Sequence, residues 1–330
     1  MDIKNLRFIG RHIIKNEKPY FSFSGCGFEF AVVLEDKDPS ITLKLSSEVQ
    51  EKDYQYIAIF INDVFYSREK LGNGLHQFVI NPPLGKEPIK VRVIKLNEVF
   101  VSSIYISDIV LKHASFVSLP SSKRKLIGFF GDSITCGYGI LDYHGLEFDT
   151  ELEDFTKTYA YLASFALNMD YSVVARSGIS VAIPIYIEQL FKEIYDTVDM
   201  FNKCPQERVL DYATINLGTN DNGAYLEAKT NKQSFLETFK KEYRSLVERI
   251  ISDNPNVKII MCYKMLPLED DIVRAIIEVY QDIKNNYQNE CRLLEFVPNS
   301  DGGNYHPFKT AHEEASKLLI KTIQEMAKDN

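Results

Sequence analysis

Four short stretches carry residue types able to transfer an acyl group: Gly131-Asp132-Ser133, Arg176-Ser177-Gly178, Gly218-Thr219-Asn220-Asp221 and Gly302-Gly303-Asn304-Tyr305-His306-Pro307. A serine hydroxyl is a weak nucleophile at its own pKa, so it needs an adjacent base and donors aimed at the oxyanion it creates. The expected nucleophile is Ser133 Oγ and the expected base is His306. The backbone N–H groups of Ser133 and Gly178 and the side-chain amide of Asn220 are the expected oxyanion hole, glycine at 178 allowing close backbone approach. Asp132 reads as a brace for the serine turn, and Asp221 as an Asx-type support for Asn220. Cys136, three residues past the serine without a second cue, reads as a small buried side chain.

These stretches matter only if the chain brings them together. Five apolar runs, at 126–130, 172–175, 212–217, 258–262 and 293–296, alternate with helical patterns at 156–168, 184–198, 232–252, 270–286 and 309–328. On the third helix, Phe235, Phe239, Tyr243, Leu246, Val247 and Ile250 recur at three- and four-residue steps. Repeated strand–helix alternation predicts a doubly wound parallel sheet with right-handed crossovers. Ligands bind outside the carboxyl ends of such strands, and three of the four stretches directly follow strands one, two and three, while the histidine stretch follows the fifth. Serine, glycine, asparagine and histidine therefore gather at one sheet edge. The acidic segment 147–154 reads as a solvated loop and a candidate rim.

Before residue 112 the pattern differs. Short β-rich runs at 20–23, 28–34, 40–46, 54–61, 77–81, 89–95 and 104–111 are separated by turn chemistry such as Asp36-Lys37-Asp38-Pro39, Gly72-Asn73-Gly74 and Pro82-Pro83. They predict an antiparallel β-sandwich of jelly-roll type. The polar, proline-punctuated segment 118–125 predicts a boundary, giving a sandwich over 1–120 and a hydrolase domain over 121–330.

A chain of 330 residues exceeds one ordinary core, and its net charge of −8 disfavours nucleic acid or an anionic membrane as partner. A neutral ligand such as a sugar fits better, with 19 Tyr and 21 Phe standing in for the absent Trp. No run approaches the ~20 apolar residues of a membrane span, and the first 18 residues lack a leader's apolar core. The expectation is a cytoplasmic protein, or a secreted one if a leader has been removed. Five cysteines without CxxC spacing predict reduced thiols and neither disulfides nor a metal site.

The four stretches, in this order, resemble the blocks of the SGNH (GDSL-type) hydrolase superfamily over residues 124–330. The longer string Gly131-Asp132-Ser133-Ile134-Thr135-Cys136-Gly137-Tyr138-Gly139 behind a β-rich domain is similar to the second family of carbohydrate esterases, the two-domain acetyl xylan esterases. That resemblance implies a jelly roll beside an SGNH domain, no metal or organic cofactor, and removal of O-acetyl groups from xylan, glucomannan or derived oligosaccharides. The superfamily usually has an aspartate three residues before the histidine, and here that position is Gly303. Asp301, Gly303 and Asn304 are each candidates to orient the imidazole, as an acid or through a backbone carbonyl. Tyr138 and Tyr305, flanking the stretches, are candidate sugar-stacking rings. Two other readings stay open: a lipase or thioesterase on the same scaffold, and a carbohydrate-binding protein that no longer turns over.

Overall fold

Along residues 40–49 every second side chain is buried, Ile41, Leu43 and Leu45 facing inward, which is the period of a half-buried strand. In the computed structural model, which describes residues 2–35, 38–49, 53–85, 87–204, 208–228 and 231–328, eleven such strands precede residue 118. They are β1 (Arg7–Ile9), β2 (Ile13–Lys15), β3 (Lys18–Phe21), β4 (Gly27–Leu34), β5 (Ser40–Val49), β6 (Gln55–Ile61), β7 (Val64–Leu71), β8 (Gly74–Ile80), β9 (Ile89–Lys95), β10 (Ser102–Lys112) and β11 (Ala114–Val117). One antiparallel sheet runs β1-β4-β9-β6-β7, with β11 also on β4, and a second runs β2-β3-β10-β5-β8. Their inner faces meet in an apolar core that includes Phe21, Phe28, Leu43, Ile57 and Val93. Asp36 and Lys37 of the first expected turn lie outside the described residues.

Five parallel strands follow: β12 (Leu126–Gly131), β13 (Asp170–Ala175), β14 (Tyr212–Asn216), β15 (Lys258–Tyr263) and β16 (Cys291–Glu295). Their order is β13-β12-β14-β15-β16, so the connections reverse direction at β12. That reversal opens a crevice at the strands' carboxyl ends, the place where doubly wound sheets bind ligands. The helices are α1 (Ser133–Cys136), α2 (Tyr159–Ala166), α3 (Phe191–Ile194), α4 (Thr219–Glu227), α5 (Lys232–Asp253), α6 (Asp270–Asn286) and α7 (Lys309–Lys328).

The helix expected over 184–198 shrinks to the single turn α3. Ser180 and Leu190 form a β-bridge and Val181 and Ala182 give their N–H groups to Asp221, so the chain between is a loop along the crevice. Conversely, α4 forms where the sequence read as a turn. Gly218, at φ 111°, redirects the chain out of β14 and into it.

The sandwich is packed against the parallel domain through the outer face of its first sheet. In β6, Ile57, Ile59 and Ile61 enter the sandwich core while Tyr56, Ala58 and Phe60 join a cluster with Phe129, Phe155 and Tyr161. This strand is therefore apolar on both faces. Glu29, fully shielded in this interface, is paired with Arg7 and with Arg92 Nε at 3.2 Å, as a buried charge must be. Among the described residues no helix is long and apolar enough to cross a membrane.

Candidate active site

Ser133 opens α1, immediately after β12. Asp132 caps that turn, its Oδ1 accepting the Ile134 N–H at 3.0 Å. As the first residue of the helix, Ser133 has an N–H with no acceptor inside the helix itself.

The imidazole of His306 is anchored at both nitrogens. Nε2 lies 2.9 Å from Ser133 Oγ, and Nδ1 lies 2.9 Å from the carbonyl oxygen of Asn304. A carbonyl oxygen only accepts, so Nδ1 carries the ring proton and Nε2 offers its lone pair to the serine hydroxyl. That is the tautomer a general base needs.

Backbone geometry aims this carbonyl. Asn304 and Tyr305 are both left-handed, at φ 49° and 59°, a conformation costing about 1–3 kcal/mol for each non-glycine residue. A ladder between loops holds them: Gly303 N–H to Gly139 O at 2.9 Å, Asn304 N–H to Gly145 O at 2.7 Å, and His144 N–H to Asp301 O at 2.9 Å. The two loops lie so close that a Cβ on Gly303 would stand 3.0 Å from Asp142 Cβ and 3.2 Å from Gly139 Cα. A side chain at position 303 would have to push one of these loops aside.

Asp301 is engaged elsewhere. Its Oδ2 accepts from Asn299 Nδ2 at 2.8 Å, and Asn299 Oδ1 accepts the N–H groups of Asp301 and Phe308 at 3.3 and 3.0 Å. It braces the loop, and among the described residues no hydrogen bond joins it to the imidazole. Tyr138, a candidate sugar-stacking ring, is half-buried beside the histidine. Its ring packs against Phe148, centroids 4.5 Å apart, and against His306 at 4.3 Å, which steadies the imidazole. Tyr305 is 67% exposed beside the histidine.

Gly178 stands at φ 78° in the loop after β13, where a Cβ would press on Tyr186 and Ile187 at 3.2 and 3.3 Å. Asn220, in the first turn of α4, ties itself to that loop through Nδ2 and the Ile179 carbonyl at 2.8 Å, leaving its second amide hydrogen for a ligand. Asp221, expected as a support for Asn220, holds the loop after β13: its two oxygens accept the Val181 and Ala182 N–H groups at 2.9 Å each. Burial pushes its carboxyl up to about 6 despite those donors, and pushes that of Asp132 up to about 7.

Sequence reasoning missed two groups. The first is the set of exposed rings around the crevice, Tyr143 and Tyr186, whose surroundings only the loop path reveals. The second is a buried polar cluster beneath α1. Glu153, in the segment read as a solvated loop, is fully buried with Glu98 and Cys136, their ligand-type atoms within 4.8 Å of one another. Such a set could hold a metal ion, but Lys95 already brings a cation there, its Nζ donating to the carbonyls of Asn97 and Glu98 at 2.6 and 3.0 Å. Burial holds the Cys136 thiol well above its usual range, hence protonated.

A cavity of about 550 Å³ lies at the other end of the parallel strands, between Arg7, Arg124, Asp170 and Leu210, remote from this chemistry.

Burial holds the His306 imidazole below its ordinary value of 6.5, partly opposed by the Asn304 and Gly303 backbone contacts. A base works when neutral, so activity is retained above that lowered value and lost as pH falls through it. The expected kcat/KM profile keeps a plateau through pH 7, with its acid limb centred below pH 6.5. A limb centred above pH 7 would mean that another group titrates.

The description GDSL-like Lipase/Acylhydrolase family matches residues 129–329. The cellulase/esterase CelE of Acetivibrio thermocellus is 26% identical over 227 residues, 63% of this chain, and the chain spans about a quarter (26%) of that relative's length. A family two carbohydrate esterase from Clostridium thermocellum, solved with cellohexaose, superposes with a TM-score of 0.87 at 17% identity, covering 98% of this chain and 99% of that one. An acetyl xylan esterase from the rumen bacterium Butyrivibrio proteoclasticus gives 0.84 at 20% identity, covering 99% and 96%. Those likenesses extend through both the sandwich and the parallel domain. The match runs through the serine, glycine, asparagine and histidine loops, and the chain belongs to the GDSL-like lipase/acylhydrolase family.

Proposed function

We propose that this hydrolase removes O-acetyl groups from carbohydrate through an acetyl-enzyme on Ser133. The observation that carries the reading is the 2.9 Å contact between His306 Nε2 and Ser133 Oγ at the crevice of the parallel sheet. Ser133 Oγ attacks the ester carbonyl carbon while its proton passes to Nε2. The resulting oxyanion accepts from the Ser133 and Gly178 N–H groups and the Asn220 amide. Collapse breaks the carbon–oxygen bond to the sugar, whose oxygen takes the proton from Nε2. Water then attacks the acetyl-enzyme, giving its proton to Nε2, and acetate leaves as Ser133 Oγ recovers that proton.

The carbohydrate part of the reading is supported by the exposed rings of Tyr143, Tyr186 and Tyr305, flat faces on which sugar C–H groups stack, and by the esterases of matching architecture. Xylan, glucomannan or oligosaccharides cut from them are the substrates proposed. The test is acetate release from acetylated xylan, acetylated glucomannan and short acetylated sugars by wild type and Ser133→Ala. Release by wild type that disappears in the variant is expected. Octanoyl esters hydrolysed faster than acetyl esters would favour a lipase instead, and no hydrolysis of any ester would favour a sugar-binding protein.

A further inference from the structure

We propose that Glu98, a carboxylate supplied by the amino-terminal sandwich, is a positioning residue for the oxyanion hole of the hydrolase domain. The inference rests on the esterase reading above and adds a residue from the other domain to it. Glu98 lies in the turn between β9 and β10, fully buried. Its two oxygens take both donors of Ser177: Oε2 accepts the backbone N–H at 2.6 Å, and Oε1 accepts the hydroxyl.

Ser177 immediately precedes Gly178. The Gly178 N–H, one of the three oxyanion donors, belongs to the rigid peptide plane that joins these two residues. A glycine at φ 78° does not hold that plane by itself, because its backbone rotates at little cost. The plane is instead fastened from both sides. Glu98 grips Ser177 on one, and α4 grips the other through Asn220 on the Ile179 carbonyl and Asp221 on Val181 and Ala182. Oxyanion donors stabilise a transition state to the extent that they are already oriented when charge develops.

Glu98 is itself fixed from both sides of the domain junction. Its carbonyl accepts from Lys95 Nζ at 3.0 Å, and neighbouring Asn97 is bonded to Tyr56 N–H at 2.6 Å and to the Thr150 carbonyl at 2.6 Å. A buried carboxylate is costly and apolar packing would join two domains more cheaply, so a simple tether does not account for this residue.

The experiment uses the full chain and compares Glu98→Ala, Glu98→Gln, Ser177→Ala and the Glu98→Ala/Ser177→Ala pair. Expected for Glu98→Ala is a roughly 10–100-fold lower kcat with KM for an acetyl ester unchanged within twofold, as for a weakened oxyanion donor. Phosphonate labelling of Ser133 should slow in parallel. Glu98→Gln should recover much of the loss, since its amide oxygen still accepts the Ser177 N–H. The double variant should be no slower than Glu98→Ala, because Ser177→Ala removes only the hydroxyl contact, one of the two that Glu98→Ala already lacks. An unchanged kcat in Glu98→Ala, a loss carried by KM, or losses that multiply would overturn the proposal. Should Glu98→Ala fail to fold, Glu98→Leu, which keeps most of the side-chain volume and removes both contacts to Ser177, takes its place, a kcat equal to wild type overturning the proposal. A wild type without esterase activity would overturn the underlying reading as well; an active wild type with an equally fast Glu98→Ala overturns this inference alone.

Discussion

Replacing His306 with alanine is expected to lower kcat for acetyl esters by roughly 10⁴–10⁶-fold, while Asp301→Asn leaves it nearly unchanged. The first loss follows from removing the group that takes the Ser133 proton at 2.9 Å. The second outcome follows from where the carboxylate is: Asp301 is bonded to Asn299, and the imidazole Nδ1–H donates a hydrogen bond to the Asn304 carbonyl. A backbone carbonyl fixes the tautomer without adding a full negative charge, so the imidazolium formed during attack is stabilised by a dipole alone. Burial of His306 then favours the neutral base between turnovers. Steady-state kinetics on the two variants decide the point. A fall of about 10⁴ for Asp301→Asn, the loss typical of a missing triad acid, would show that the loop rearranges to deliver Asp301 to the ring.

What could be read in the sequence follows physical periodicity. Period two in β5, period 3.6 in α5 and the alternation of strands with helices after residue 125 are written in side chains, and they carry the architecture of both halves. Topology then brings residues 133, 178, 220 and 306 to one sheet edge. The unread features belong to groups that have no letter in a sequence or that sit against their usual tendency. The acceptor on Nδ1 is a backbone oxygen, aimed by two left-handed residues that no composition rule announces. Gly303 is glycine because two loops nearly touch there. Glu98 and Glu153 default to the surface as acids, yet both are buried in a domain interface that depends on how the whole chain is assembled. In place of the helix expected over 184–198 the chain runs mostly as a loop, held by Asp221 at the N–H groups of Val181 and Ala182 and by a bridge between Ser180 and Leu190, contacts made by residues distant in sequence or outside any helical pattern.

Asn220→Ala is expected to lower kcat by roughly 10²–10³-fold while leaving KM little changed, the signature of a contact made only in the transition state. One hydrogen of its amide is held by the Ile179 carbonyl at 2.8 Å, which aims the other toward the site without reorganisation during the reaction. Asn220→Asp is the sharper variant, because it keeps the shape and replaces the donor with an acceptor that repels the oxyanion. Its loss should therefore exceed that of alanine. Asp221 separates donation from mere positioning: Asp221→Asn leaves the Asn220 amide in place and one acceptor for the 181–182 backbone, so its kcat should fall far less than that of Asn220→Ala. The order Asn220→Asp, Asn220→Ala, Asp221→Asn in decreasing severity is what a preorganised donor requires. If Asp221→Asn proved the most damaging of the three, support of the loop would outweigh the amide's own hydrogen bond, and Asn220 would have to be assigned a structural part.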